Sequence, residues 1–282
     1  TDKNEIWIVS NSFIIKLDST WKEKSRYRKP SNNGVSALSI LKTKRFFSEN
    51  TSDYSTLYFS DNNISYLSIS KMEVDNEYAI KSFSETNNTI KPKLKLSEFG
   101  YNSNDLFRPD FNKSIYTIGP SGMMYLTFAY SNTVFEVDIA NSYQITSSFL
   151  LADLNESKYV NYSWSTEKKL STIREIAVSQ ASITNIFSSV DFIILNMLQV
   201  NKGDLPKTMD LNNRNSVSNY LSSASALAEN HYRIYSKSDP SIGYEIALPG
   251  ELLEIEKNTV YIREINELER RFEKIYLCEI TK

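Results

Sequence analysis

The sequence predicts an all-β protein built from repeated antiparallel hairpins. Apolar and polar side chains alternate over many short segments, and a period of two is the pattern of a β-strand. A turn that begins with Asn recurs between strand-like segments, at Asn11, Asn62, Asn132 and Asn258, with separations of 51, 70 and 126 residues. Strand-based repeats of about 40 to 60 residues are typical of β-propellers. We therefore predict one propeller domain over residues 1–282, with six antiparallel blades and with five or seven as alternatives.

Residues 114–139 show this pattern most clearly, and we interpret them as a three-stranded meander. From Met124 to Tyr130 the even-numbered side chains share one face of an extended chain and the odd-numbered ones share the other. Gly119–Gly122 supplies the first turn, because Pro presets φ and Gly accepts a positive φ. Asn132 supplies the second, because Asn tolerates the left-handed conformation of hairpin turns.

The first third of the chain is predicted to hold two sets of strands. Ile6–Val9 and Phe13–Asp18 form a hairpin, and the charged segment Trp21–Arg28 forms an outer, solvent-facing strand. Lys93–Ser97 is a further strand. A set of four strands, enough for one blade, is predicted at Val35–Leu41, Thr56–Ser60, Ile64–Ser70 and Glu77–Phe83.

The second half is predicted to continue as hairpins. Ile183–Phe187 and Val190–Leu198 are paired strands, and Glu229-Asn230 is a further turn. Lys274–Ile280 is a strand in which Cys278 fills a small buried position. Three segments fit both a helical and a strand pattern: we favour strands for Leu170–Val178 and for Glu264–Ile275, and both alternatives stay open for Ser216–Glu229.

Composition and charge argue against several classes of protein. The formal charge of −2 and the pI of about 5.7 lack the basic footprint of a nucleic-acid binder. We interpret the basic cluster between Lys22 and Lys29 as a solvated surface. A single cysteine cannot form an intrachain disulfide. No apolar segment reaches the roughly 18 residues of a membrane-spanning helix, so we expect neither a nucleic-acid partner nor a transmembrane segment.

Two segments carry candidate binding residues. Arg108 precedes Pro109, which fixes the backbone, so its guanidinium is held either for an anionic ligand or for a neighbouring carboxylate. Tyr159, Tyr162 and Trp164 cluster in a polar segment, where they either form a contact surface for a sugar or a protein or anchor the loop to the core.

Metal and cofactor chemistry find little support in the sequence. The acidic and amide residues of Asn201–Asn215 do not follow the order of a calcium-binding EF-hand loop. His231 is the only histidine, which disfavours most zinc sites and paired-imidazole mechanisms, and we place it in an exposed turn. We therefore expect no metal, no cofactor and no catalytic residue that the sequence can name.

The chain also resembles a known family. Its repeated hairpins, the segment Phe107-Arg108-Pro109-Asp110-Phe111, and Asn258-Thr259-Val260-Tyr261 followed by Phe272–Ile280 resemble the six-bladed β-propeller lipoproteins of Bacteroides-like bacteria, which are grouped with TolB-like propellers. That family has no assigned function and no defined catalytic residues. The resemblance implies a secreted protein of the periplasm or outer membrane, with a lipid anchor upstream of Thr1.

Two functions from different classes follow from the predicted fold. The preferred one is a non-enzymatic binding or scaffold module, a monomer whose loops contact a glycan or a protein partner. The alternative is a glycoside hydrolase or lyase with paired carboxylates. Asp110, Asp138, Glu175 and Asp191 lie in or beside predicted strands, but no catalytic motif accompanies them.

Overall fold

A computed structural model describes fourteen separate parts of the chain, which are residues 6–9, 13–18, 20–28, 48–51, 54–59, 78–84, 88–100, 114–129, 131–151, 154, 181–200, 213–256, 258–264 and 275–280. Most of them lie in β-strands, so the predicted all-β class is confirmed. The chain divides into two compact units, Thr1–Ser114 and Ile115–Lys282. Among the described residues, no helix is both long enough and apolar enough to cross a membrane.

Sheet A of the first unit has three strands in chain order, β1 (Ile6–Val9), β2 (Phe13–Leu17) and β3 (Glu23–Arg28). The predicted hairpin is confirmed, because β1 pairs antiparallel with β2. The predicted outer strand is confirmed as well: β3 is largely exposed, and Arg26 forms an ion pair with Glu23 at 2.6 Å. The basic side chains of β3 therefore lie on a solvated surface.

Sheet B of the first unit has four strands in chain order, β4 (Ser48–Thr51), β5 (Tyr54–Phe59), β6 (Tyr78–Ser84) and β7 (Thr89–Lys95). The predictions at Thr56–Ser60 and Glu77–Phe83 are confirmed by β5 and β6. Lys93–Ser97 is only partly a strand, because a short 3-10 helix, Leu96–Phe99, begins where β7 ends. The predicted strands Val35–Leu41 and Ile64–Ser70 lie outside the described residues.

Sheet C opens the second unit and contains the predicted meander. Its strands are β8 (Ser114–Ile118), β9 (Met124–Phe128), β10 (Thr133–Asp138) and β11 (Gln144–Leu150), adjacent in chain order. All five side chains of β9 are buried, so both faces of this strand are covered. The two polar side chains are satisfied: the Thr127 hydroxyl donates to the Thr133 carbonyl at 2.8 Å, and Tyr125 donates to Glu136 at 3.0 Å.

Sheet D has the same meander topology, with β12 (Ser182–Ser188), β13 (Phe192–Val200), β14 (Ala228–Ser236) and β15 (Gly243–Ile246). The predicted hairpin at residues 183–198 is confirmed. Most of the segment Ser216–Glu229, for which both a helix and a strand were predicted, forms a helix, α1 (Arg214–Ala226). The Asn213 side chain stabilises the start of this helix, because it accepts hydrogen bonds from two backbone amides. The prediction of a turn at Glu229-Asn230 is wrong, because Asn230 lies inside β14 and pairs with Leu198. Nine successive pairs between β13 and β14 override the turn preference of one Asn.

Sheet E has three described strands in chain order, β16 (Glu251–Glu256), β17 (Thr259–Arg263) and β18 (Ile275–Glu279). The Asn258 hairpin is confirmed by the pairing of β16 with β17. The prediction that Cys278 is buried is wrong. In the described part of the sheet, β18 has a partner strand on one edge, and all five of its side chains are exposed. Residues 265–274 and 170–178 lie outside the described residues, so the strands predicted there stay predictions.

The three sheets of the second unit follow one another in space as they do in sequence. β12 contacts β9 of sheet C on one side and β16 of sheet E on the other. The Ile183 amide donates to the Ala129 carbonyl at 2.6 Å, which links sheets C and D directly. Sheets D and E share an apolar cluster, which consists of the buried side chains of Phe187, Ile194, Tyr232, Leu252, Ile255, Val260 and Ile262.

Candidate functional site

The predicted binding residues all lie outside the described part of the chain. This applies to Arg108, Tyr159, Tyr162 and Trp164, and also to the candidate carboxylates Asp110 and Glu175. Their roles stay predictions. The described residues instead show a polar cluster between sheets C and D, which sequence analysis did not assemble.

A row of three side chains across sheet C forms the first half of this cluster. Tyr125 on β9 stands opposite Glu136 on β10, and Glu136 stands opposite Ser147 on β11. Residues paired in this way share one face of a sheet. The Tyr125 hydroxyl donates to Glu136 Oε1 at 3.0 Å, and the Ser147 hydroxyl donates to Glu136 Oε2 at 2.7 Å. Both carboxylate oxygens are therefore occupied by side chains of the same sheet.

Lys237 brings the second half of the cluster from sheet D. It directly follows β14, and its backbone amide donates to the Asp191 carbonyl at 2.9 Å. Its ammonium nitrogen donates to the Ser189 carbonyl at 2.6 Å and lies 4.2 Å from the centroid of the Tyr125 ring. A cation at this distance is attracted to the negative face of an aromatic ring, so Lys237 clamps the β12–β13 turn of sheet D onto sheet C.

The pKa values of the two central groups move in opposite directions. Burial, followed by the charge of Glu136, raises the pKa of Tyr125 to about 12. Burial lowers the pKa of Lys237, although Glu136 and Asp191 act in the opposite direction. Tyr125 thus keeps its proton at neutral pH and cannot serve there as a base. Both oxygens of the Glu136 carboxylate accept from protein groups, and the Lys237 ammonium donates to a protein carbonyl, which is the arrangement of a structural clamp.

The clamp lies at one end of sheets C and D, and four turns meet there. Gly119–Met123 precedes β9, and residues 139–143 follow β10 at the strand end that pairs with Met124. Ser189–Asp191 joins β12 to β13, and residues 237–242 follow the end of β14, because Phe192 pairs with Ser236. We call these four turns the loop face.

Each turn of the loop face is held by its own hydrogen bonds. The Gly122 amide donates to the Gly119 carbonyl at 3.0 Å, and the Asn141 amide donates to Asp138 Oδ1 at 3.0 Å. The Phe192 amide donates to Ser189 Oγ at 2.9 Å, and the Ser241 hydroxyl donates to Asp239 Oδ1 at 2.5 Å. The exposed residues of these turns are small or polar for the most part: Pro120, Ser121, Gly122, Ala140, Asn141, Ser142, Val190, Ser238, Asp239, Ser241 and Ile242.

His231 has a structural role on sheet D. The exposed turn predicted for it is wrong, since it lies within β14 and is half-buried. Its Nδ1 lies 2.9 Å from Glu245 Oε1 on the neighbouring strand β15, and this contact lowers the pKa of the Glu245 carboxyl. His231 therefore takes part in a cross-strand pair.

Comparisons with known proteins give a weak structural likeness and no family. No protein-family model and no curated protein matches the sequence. The chain is similar to a virginiamycin B lyase from Staphylococcus aureus, with 12% identity and a TM-score of 0.42 over 100% of this chain and 68% of that one. It is also similar to a streptogramin B lyase, with 10% identity and a TM-score of 0.37 over 93% of this chain and 73% of that one. Both TM-scores lie below the level that indicates a shared fold, so these structures decide neither the fold nor the activity.

Proposed function

We propose that this protein is a binding module for a glycan or a protein partner, and that the loop face is its contact surface. The observation that carries the proposal is that the four turns are fixed before any ligand arrives. The clamp of Lys237 on Tyr125 and the hydrogen bonds within each turn hold the backbone in one arrangement. Such preorganisation lowers the entropic cost of binding, and exposed loops on a rigid scaffold are where recognition residues concentrate.

The propeller architecture belongs to this proposal. Sheets C, D and E follow one another as antiparallel meanders with strands in chain order, and β12 contacts strands of both neighbouring sheets. Successive meanders of this kind are what the blades of a propeller consist of. The number of six blades stands as predicted from the Asn-led repeat.

The hydrolase or lyase alternative has less support. A glycoside hydrolase needs a carboxylic acid whose pKa is raised so that it can protonate the leaving group. The described carboxyl groups whose pKa shifts, those of Asp18, Glu23, Asp239 and Glu245, all shift downward. Asp138, one of the candidate carboxylates, accepts the Asn141 amide and so stabilises a turn.

The proposal also includes a monomeric state, a location in the periplasm or at the outer membrane and a lipid anchor, the last two following from the resemblance to propeller lipoproteins. Incorporation of labelled palmitate into the protein in its native cells tests the anchor. Size-exclusion chromatography with light scattering measures the oligomeric state.

A matched pair of charge substitutions tests the contact surface. Val190 is exposed in the β12–β13 turn of the loop face, whereas Gln199 is exposed at the opposite end of the same sheet. We expect the wild type to bind members of a glycan array or a displayed peptide library. Val190→Arg should weaken that binding at least about tenfold, the cost of a disrupted contact within a recognition surface, and Gln199→Arg should leave it unchanged. A loss confined to Gln199→Arg, or no ligand at all, would reject the proposal.

A further inference from the structure

A row of apolar side chains runs from the core onto the loop face along β15. Ile242, Tyr244 and Ile246 occupy alternate positions of one extended segment and therefore share a face. Ile246 packs against the cluster between sheets D and E, as does Ile234, which stands opposite Tyr244. Tyr244 is 65% exposed and Ile242 is 54% exposed. The row thus begins in the core and ends with the aromatic ring of Tyr244 and the sec-butyl group of Ile242 exposed to solvent.

Polar groups in the turn before β15 accompany this exposed ring. Asp239 accepts hydrogen bonds at Oδ1 from the Ser241 hydroxyl at 2.5 Å and from the Ser241 amide at 3.3 Å. These bonds lower the pKa of the Asp239 carboxyl, so that it is ionised at neutral pH. Its exposed side chain and that of Ser241 are fixed in one turn, within five residues of Tyr244.

Two other aromatic residues at this end of the sheets are covered: Tyr143 in the loop face is half-buried, and Tyr125 in β9 is buried. Tyr125 stacks with Phe149 at a centroid distance of 6.4 Å, and the Lys237 ammonium lies over its ring. Among these three rings, Tyr244, which lies two residues after the last turn of the loop face, is therefore the one with a large exposed surface.

We propose that Tyr244 is a stacking platform for a pyranose ring of a glycan, with Asp239 and Ser241 as hydrogen-bonding partners of its hydroxyls. This inference rests on the proposed binding function and names the ligand class. A pyranose has an apolar face of C–H groups and a rim of hydroxyls, which match an aromatic ring and the carboxylate and hydroxyl that precede it by five and three residues in the chain. Tyr offers such a face at low cost in conformational entropy. Two exposed apolar side chains cover far less than the roughly 1,200 Å² of a stable protein interface, so a sugar fits this patch better than a protein does.

Three variants and a control test the platform. The probes are neutral oligosaccharides of glucose, mannose, galactose and xylose, first immobilised on an array and then titrated in solution by calorimetry. Tyr244→Ala should weaken binding about tenfold or more, whereas Tyr244→Phe should retain it, because stacking needs the ring and not the hydroxyl. Asp239→Asn should weaken it several-fold, since a charged hydrogen bond becomes neutral. Leu150→Ala is the control, because Leu150 is an equally exposed apolar side chain at the opposite end of sheet C.

The possible results separate this inference from the proposed function. Loss in Tyr244→Ala with retention in Tyr244→Phe supports both. If an oligosaccharide binds equally well to Tyr244→Ala, the platform is wrong, while the loop face stands as long as Val190→Arg abolishes that binding. If the protein binds peptides but no oligosaccharide, and Val190→Arg abolishes peptide binding, then the proposed ligand class is wrong and the proposed binding function stands. If neither class binds, both are wrong.

Discussion

Sheet D meets its two neighbours in the second unit through different groups: buried apolar side chains and a hydrogen bond from the Leu252 amide to the Tyr232 hydroxyl at 3.1 Å on the side of sheet E, and a lysine cation on the side of sheet C. Toward sheet E it presents Phe187 and Tyr232, which are buried against Leu252 and Val260 in an apolar cluster. Toward sheet C it presents Lys237, which lies over a tyrosine ring and donates to a carbonyl. Burial of apolar area has no preferred direction, whereas hydrogen bonds and cation–π contacts depend on geometry. We therefore expect the D–E contact to supply stability and the Lys237 contact to fix the orientation of the loop face.

The largest loss of stability should come from a substitution in the apolar cluster between sheets D and E. Phe187 is fully buried in the D–E cluster, so Phe187→Ala should lower the free energy of unfolding by about 3–5 kcal/mol through lost burial and the cavity that remains. Urea unfolding monitored by circular dichroism measures this. Leu150→Ala, at an exposed position, should change stability by less than about 0.5 kcal/mol. Similar losses in the two variants would contradict the assignment.

Two glycines compare the tolerance of the start of sheet E with that of the C–D contact. Gly250 lies in the connection from sheet D to sheet E, where an added Cβ would overlap the Arg263 carbonyl and lie 2.9 Å from the Glu264 Cα. Gly119 lies at the C–D contact, where an added Cβ would meet the Ser188 hydroxyl and the Tyr125 ring at 2.8 Å. Side chains shift more easily than backbone, and only Gly119 faces side chains. We therefore expect Gly250→Ala to lower the free energy of unfolding by about 3 kcal/mol and Gly119→Ala to lower it by about 1 kcal/mol. Thermal unfolding of the two variants measures the difference, and the reverse order would refute it.

Removing the charge of the clamp should affect the loop face more than the stability. Lys237→Met keeps the length of the side chain but loses the cation–π contact and the bond to Ser189. The variant no longer buries a charge, which offsets part of this loss. We therefore expect its free energy of unfolding to fall by only about 1 kcal/mol. Limited proteolysis should show faster cleavage in the turns at residues 189–191 and 237–242. Lys237→Arg, which keeps the charge, is the control, and equal cleavage of Lys237→Met and wild type would argue against the clamp.

Alkaline titration separates the two groups of the clamp. An unfolded tyrosine ionises near pH 10, whereas the raised pKa of Tyr125 is about 12. Between these values the folded state binds more protons, so Tyr125 makes stability fall as pH rises. The lowered pKa of Lys237 has the opposite effect, because the unfolded state then binds more protons than the folded state. Lys237 therefore makes stability rise with pH between its lowered pKa and 10.5. In a Lys237→Met background, replacing Tyr125 by Phe should therefore flatten the decline in stability between pH 10 and 12, and an unchanged slope would count against a shifted Tyr125.

The sequence predicted strands well where one pattern decided them. The meander around β9 and the Asn132 and Asn258 hairpins follow from alternation and turn preference, which act over a few residues. It failed at Asn230 and Cys278, because the length of a partner strand and the absence of cover beyond β18 in the described sheet are not local properties. Lys237 stands 112 positions after Tyr125, and no local pattern marks it. The candidate site therefore needed the structure, although the alternation did place Tyr125 and Glu136 in adjacent strands.

The complete enclosure of β9 has a consequence for how the second unit opens. This strand has a hydrogen-bonded neighbour on each edge and protein on each face. Its amide protons can therefore exchange with deuterated solvent only when sheet C separates as a whole. Deuterium uptake by Met124–Phe128 thus reports the separation of sheet C, and the difference in uptake between these amides and those of the surrounding turns measures how far the loop face opens on its own.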